Sequence, residues 1–272
     1  MCFLRVGCWK LMKPGIGNPP AIVQVINGCT RQLRGNFFMN MKFSRLSSLI
    51  GEDAIKKLAN SHVMIFGLGG VGGYAAEVVA RSGVGKITLV DFDTVNETNI
   101  NRQLCALEST IGKSKVKVIA ERLSDINPDI KINKINSRYS AETREEFFSL
   151  SPDYIIDAID SVTDKIDLII EAKKRSIPII SAMGAGNKLD ASAFKVSDIS
   201  KTKVCPLAKV LRKELGIRGV KHLKVVYSEE LPVIKERSPA SAAWVVGTAG
   251  LLLGGEAIRD LIKKEADYEV YS

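Results

Sequence analysis

At 272 residues, 46% hydrophobic and 25% charged, the chain is long enough to bury a sizeable core and has the composition of an ordinary soluble globular protein. Its five cysteines (Cys2, Cys8, Cys29, Cys105, Cys205) form no Cys-x-x-Cys pair, which excludes a zinc knuckle or a thiol redox motif; their odd number and irregular spacing argue against a disulfide framework and for a reducing, cytoplasmic setting. The net charge of +9 is regional: residues 1–42 carry six basic and no acidic side chains, residues 201–224 carry eight basic against Glu214 alone, and the rest sums to −4.

Residues 1–42 read as an N-terminal extension, disordered or outside the native frame, because the breakers from Pro14 to Pro20 interrupt any helix or strand. From residue 43 the pattern is regular and reads as one domain to residue 272. Glu52–Asn60 predicts a short amphipathic helix and His62–Phe66 an apolar strand, followed at once by the loop Gly67-Leu68-Gly69-Gly70-Val71-Gly72. A helix over Tyr74–Arg81 ends at Gly83 and Gly85, and the strand Ile87–Val90 terminates in Asp91. The next helix, Lys113–Ile126, stops at Asn127-Pro128. Strands follow at Ile130–Ile135, Tyr154–Ala158 and Ile177–Ser181, with a helix near Lys165–Lys174 between the last two. Short apolar strands alternating with helices imply a doubly wound, mostly parallel α/β sheet, Rossmann-like, with its ligand crevice at the strands' carboxyl ends.

Beyond Gly186 the alternation breaks down into a C-terminal extension. Ser192–Val196 and Leu223–Tyr227 read as strands flanking a basic segment over about 200–230. The apolar stretch Ala240–Gly255 is 16 residues long. A membrane span needs roughly 20, so this predicts a buried core or subunit-interface helix over about 240–264 and argues against membrane association.

Gly67, Gly69 and Gly72, with Gly70 beside them, satisfy G-x-G-x-x-G between a strand and a helix, where bare backbone N–H groups can approach phosphate. Asp91, 24 residues after Gly67, ends the next strand, where a carboxylate can bond a ribose hydroxyl. These residues indicate a nucleotide without choosing between a nicotinamide cofactor and ATP. The choice comes from the charged stretch downstream, through Arg102 to Gly112-Lys113-Ser114-Lys115. Hydride transfer needs no such cluster. Adenylation does: when a carboxylate attacks the α-phosphate, Arg102 and Lys115 can neutralise charge on phosphorus and the departing pyrophosphate, and an acidic residue can hold Mg²⁺. Asp160, just after the Tyr154–Ala158 strand, would face the same crevice. The two histidines, His62 and His222, lie far apart and offer little for a triad or a metal site.

In order along the chain, Ser44-Arg45, the glycine loop, Asp91-Phe92-Asp93, Asn99-x-x-Arg102-Gln103, Gly112-Lys113-x-Lys115 and Asp157-x-x-Asp160 resemble the ThiF/MoeB/HesA family, which is similar to the adenylating domain of ubiquitin-activating enzymes. The resemblance covers about residues 43–190 and implies ATP and Mg²⁺ as cofactors. It implies that Asp91 binds the ribose, that Asp93 shares the nucleotide site, and that Asn99, Arg102 and Lys115 contact the phosphates. It further implies that Asp160 binds Mg²⁺ and that Arg45 reaches into the partner's site of a homodimer.

Family members that activate ubiquitin-like sulfur carriers usually hold two Cys-x-x-Cys pairs near the C-terminus, and this chain has none. Cys105 reads as a small core residue. The segments Val204-Cys205-Pro206-Leu207-Ala208-Lys209-x-x-Arg212 and Leu223-Lys224-Val225-Val226-Tyr227-Ser228-x-Glu230 look instead like the tRNA-modifying branch, which closes threonylcarbamoyladenosine into a ring with loss of water. On that reading Lys203, Lys209, Arg212, Lys213, Arg218 and Lys221 face tRNA beside the ATP site. A sulfur-relay protein is a further partner open to that branch. The alternative is an adenylyltransferase acting on the C-terminus of a ubiquitin-like sulfur carrier; a nicotinamide-dependent dehydrogenase and a non-catalytic tRNA-binding module stand behind it.

Overall fold

The structure is a computed structural model that describes residues 41–234 and 239–263; the expected extension up to residue 40 and the last residue of the expected C-terminal helix lie outside them. The chain divides after Ser44, and residues from Arg45 onward form the unit described below. In chain order its elements are α1 (Ser44–Ile50), α2 (Glu52–Ala59), β1 (His62–Phe66), α3 (Gly72–Arg81), β2 (Lys86–Val90), α4 (Lys115–Ile126), β3 (Lys131–Ile135), α5 (Arg144–Phe148), β4 (Tyr154–Asp157), α6 (Val162–Lys174), β5 (Ile179–Ala182), β6 (Phe194–Asp198), α7 (Pro206–Ile217), β7 (Lys224–Ser228) and α8 (Ala243–Ile262).

The strands form a seven-stranded sheet in the order β3-β2-β1-β4-β5-β7-β6. Every pairing is parallel except that of β6 with β7. The order reverses at β1, whose neighbours are β2 and β4, so a crevice opens beyond the carboxyl ends of β1 and β4. Each central strand is apolar on both faces because each face is covered. Val63 and Ile65 pack with α2, α3, α4 and α8, through side chains such as Leu58, Val79, Ile119 and Leu253. Met64 and Phe66 point the other way, onto α5, α6 and α7, through Phe147, Leu168 and Leu211.

The tail departs most from expectation. The basic segment contains a helix, α7, opened by Pro206 in its first turn. The expected strand at Ser192 begins two residues later, because Asp190 accepts from the Ser192 N–H (2.8 Å) and winds Ala191–Ala193 into a 3-10 turn. The short helices α1 and α5 were not expected from periodicity at all.

The glycines of α8 form an internal seam. A Cβ on Gly250 would stand 2.3 Å from the Val71 carbonyl oxygen and 2.7 Å from Tyr74 Cβ, and one on Gly254 2.8 Å from Val78 Cβ. The absence of side chains lets α8 lie directly on α3. Its other side exposes Trp244 and Leu251. No helix among the described residues is long and apolar enough to cross a membrane.

Candidate nucleotide site

A cleft of about 580 Å³ lies beyond the carboxyl ends of β1, β2 and β4, within the range of small-molecule sites. Gly67, Gly69 and Gly70 form one wall. Gly67 adopts φ of +85°, and a Cβ there would press on the Ala158 carbonyl oxygen at 2.6 Å. A Cβ on Gly72 would fall 1.8 Å from the Gly67 carbonyl oxygen. These two glycines are demanded by the chain's own turn. Gly69 differs: the nearest atom to a Cβ there is Gln103 Nε2 at 3.8 Å, so the chain's own packing does not demand a glycine there. The loop feeds α3, whose first turn has no side-chain cap; the Gly73 N–H is taken by the Gly69 carbonyl (3.1 Å), and the positive end of the helix faces the loop.

Asp91, at the end of β2, is buried. Its Oδ2 accepts from the Leu68 N–H (2.6 Å) and its Oδ1 from the Asp93 N–H (2.8 Å), which fixes the carboxylate against the loop and leaves lone pairs on both oxygens. Burial pushes its pKa up, opposed by those two amides and by Lys115. Lys115 opens α4 and is delivered to the cleft by a doubled-back loop: Val95 N–H donates to the Lys113 carbonyl (2.8 Å) and Lys115 N–H to the Asp93 carbonyl (3.0 Å). Its ammonium pairs with Asp93 Oδ2 at 2.7 Å. Asp93 therefore lines the cleft chiefly as the holder of Lys115.

Asn99 and Arg102 come from the segment between β2 and α4. Asn99 Oδ1 accepts from the Asn96 N–H (3.0 Å) in a reciprocal capping box, leaving its amide nitrogen for a ligand. Arg102 Nη1 donates to the Thr98 carbonyl (2.7 Å) and to Asn101 Oδ1 (3.0 Å), which spends one end of the guanidinium and keeps the rest at the cleft. Cys105 is fully buried, its thiol pushed up by desolvation, as expected of a core residue. Asp160 lies on the opposite wall, exposed, with no hydrogen bond or ion pair among the described residues. Arg45 is exposed on α1 and does not line this cleft.

Sequence reasoning missed Phe92, Gln103 and the pair Arg138–Asp164 (2.7 Å), all of which line the cleft. Phe92 and Gln103 sit inside motifs already singled out. Arg138 could have been found from its position three residues beyond the end of β3, on the carboxyl side of the sheet.

The basic segment reaches the same rim. A Cβ on Gly184 would lie 3.7 Å from Cys205 Sγ, so the start of α7 abuts the loop whose Ala185 and Gly186 line the cleft. Lys203, Lys209, Lys213 and Lys221 are exposed, with no salt-bridge partner among the described residues. Arg212 is different: its Nη1 donates to the Thr202 carbonyl (2.9 Å) and hydroxyl (2.7 Å), bracing the turn before α7. Arg218 pairs with Glu214 at 2.7 Å.

The profile of the ThiF family matches residues 43–270. A tRNA threonylcarbamoyladenosine dehydratase of Bacillus subtilis (strain 168) is 44% identical over 241 residues, 82% of this chain and 95% of that relative. The crystal structure of E. coli tRNA N6-threonylcarbamoyladenosine dehydratase in complex with ATP superposes with a TM-score of 0.79 at 35% identity, covering 84% of this chain and 96% of that one. A molybdopterin-synthase adenylyltransferase of Salmonella typhimurium is more distant, 33% identical over 131 residues, 48% of this chain and 51% of that relative. Fold, cleft and family profile agree, and the chain belongs to the ThiF family.

Proposed function

We propose that this chain is an ATP-dependent tRNA threonylcarbamoyladenosine dehydratase. The observation that carries the reading is one cleft lined by a glycine loop, Lys115 and Arg102, against whose rim loop the turn before α7 packs, with exposed lysines outside the cleft on that turn and helix.

ATP would enter with its ribose on Asp91 and its phosphates along Gly69, Gly70 and the first N–H groups of α3. The threonyl carboxylate attacks the α-phosphorus, and the bond to the pyrophosphate oxygen breaks. Lys115, Arg102 and Asn99 lie where that charge develops. The carbamoyl group then attacks the acyl carbon, a ring closes, and AMP leaves with the carboxylate oxygen. The nucleophile is tethered to its target, so positioning supplies most of what the second step needs. The sum is loss of one water from the nucleoside and conversion of ATP to AMP and pyrophosphate.

No three His, Cys, Asp or Glu side chains cluster as a metal site among the described residues. Asp160, a free carboxylate at the cleft, fits a Mg²⁺ ion that takes its remaining ligands from phosphate and water, and such an ion would neutralise pyrophosphate charge. Arg45, exposed and outside the lining of its own cleft, and the exposed Trp244 and Leu251 on α8 fit a homodimer in which Arg45 completes the partner's site. Buried, unpaired Cys105 and Cys205 fit a reducing cytoplasm. The sulfur-carrier alternative lacks the paired Cys-x-x-Cys sites expected of that branch. Mass spectrometry of nucleosides from threonylcarbamoylated tRNA incubated with the protein and ATP is the test. Loss of one water from the modified adenosine is expected, and an unchanged nucleoside mass contradicts the proposal.

A further inference from the structure

Beneath the cleft lies a buried ion pair that no step above uses. Asp157, the last residue of β4, and Lys165, on α6, both have fully buried side chains, and their charges meet at 2.8 Å. The pair grips one residue from both sides. Ile159 N–H donates to Asp157 Oδ1 (3.1 Å), and the Ile159 carbonyl accepts from Lys165 Nζ (2.9 Å). Lys165 Nζ also donates to Asp157 Oδ1 (2.9 Å), and Ser181 Oγ, reaching from β5, donates to Asp157 Oδ2 (2.5 Å). On the far side of Asp160, Ser161 Oγ accepts from Arg138 Nη2 (3.4 Å), and the Ser161 carbonyl receives the Lys165 N–H (3.0 Å). The residues before and after Asp160 are thus both tied down, while the Asp160 side chain is left without a partner among the described residues.

Two opposite charges with no exposure are costly to desolvate, and an apolar pair of similar volume would hold the fold as well. Their specific return is geometric. A loop of backbone N–H and carbonyl groups at the mouth of a cleft has no ladder to fix it, and this pair supplies the missing donor and acceptor.

We infer that Asp157 and Lys165 are positioning residues, a buried clamp on Ile159 that sets Asp160 at the reacting phosphates; the inference rests on the adenylation reading. Arg138 steadies the outer end of the same loop.

The test replaces both charges and the hydroxyl bonded to them together, Asp157→Leu with Lys165→Met and Ser181→Ala, so that no buried side chain of the group is left unpaired. The clamp predicts cooperative thermal unfolding near that of the native protein and an ATP Kd within about threefold, because the contacts to ribose and loop are untouched. It predicts a fall in kcat for pyrophosphate release of about tenfold or more with little change in KM for ATP. Turnover within twofold of native would overturn it. A second readout needs no variant: the Ile159 amide of the unmodified protein should exchange its hydrogen at least about a hundredfold more slowly than an open peptide. Exchange at the open-peptide rate would equally overturn the clamp. If the unmodified protein releases no pyrophosphate with its tRNA substrate, the functional reading fails, while the exchange measurement still judges the clamp.

Discussion

Lys115 shows how a charged residue is prepared for chemistry by its neighbours. Its stem is buried, its ammonium is held by Asp93, and its backbone is pinned by the doubled-back loop. Lys115→Ala should lower turnover by about a hundredfold or more while tRNA affinity stays within about threefold. A large loss of tRNA binding in that variant would show that the nucleotide and tRNA surfaces are not separate. The sequence made Lys115 legible through its spacing from Asp91 and Gly112, but not Asp93 as its partner, because an ion pair across 22 positions leaves no periodic trace. Lys165 was missed for the same reason. His62 carries a different prediction. It is buried at the start of β1, its Nε2 2.8 Å from Thr88 Oγ1, and desolvation followed by Lys86 holds its pKa below the ordinary value. A depressed histidine stays neutral in the fold while the unfolded chain takes up a proton. Stability is therefore complete above about pH 6.5 and declines as pH falls towards the folded-state value. Thermal melts from about pH 7 to about pH 5.5 should drop more steeply for the native protein than for His62→Gln. Equal slopes would contradict this.

At the scale of elements, the central βα units were readable because both faces of each strand are covered and their sequences are continuous apolar runs. The tail was not. The strand–helix–strand path through β6, α7 and β7 contains charged residues at helical spacing, and these masked the apolar side formed by Ala208, Leu211 and Leu215. That helix also narrows the proposed tRNA surface, since Arg212 is bonded to Thr202 in the turn before it and Arg218 to Glu214, while Lys203, Lys209, Lys213 and Lys221 have no salt-bridge partner among the described residues. Changing Lys203, Lys209 and Lys213 together to alanine should weaken tRNA binding and make the log–log salt dependence shallower by about two. An unaltered slope would mean that α7 is only a solvated face. The seam between α8 and α3 is tested by Gly250→Val. The added side chain meets backbone at Val71, so Tm should fall by about 5 °C or more. An unchanged Tm would show that the two helices are not in the contact described.

For the whole molecule, the strand order places every part of the site at one end. Reversal at β1 opens the crevice, β2 and β4 bring Asp91 and Asp160 to it, the segment before α4 adds Arg102, and the start of α4 adds Lys115. The first five strands were foreseeable from alternation alone; the antiparallel β6 was foreseeable only as a strand, since its pairing depends on the return through α7. On the proposed function, this cleft performs adenylyl transfer to a carboxylate carried by tRNA. The most direct measurement is to quantify the nucleotide products formed with threonylcarbamoylated tRNA as the sole acceptor. AMP and pyrophosphate should form in a one-to-one ratio with cyclised nucleoside, and neither should form without that tRNA. Formation of ADP and phosphate, or AMP formation only with a carrier protein's Gly-Gly terminus, would contradict it.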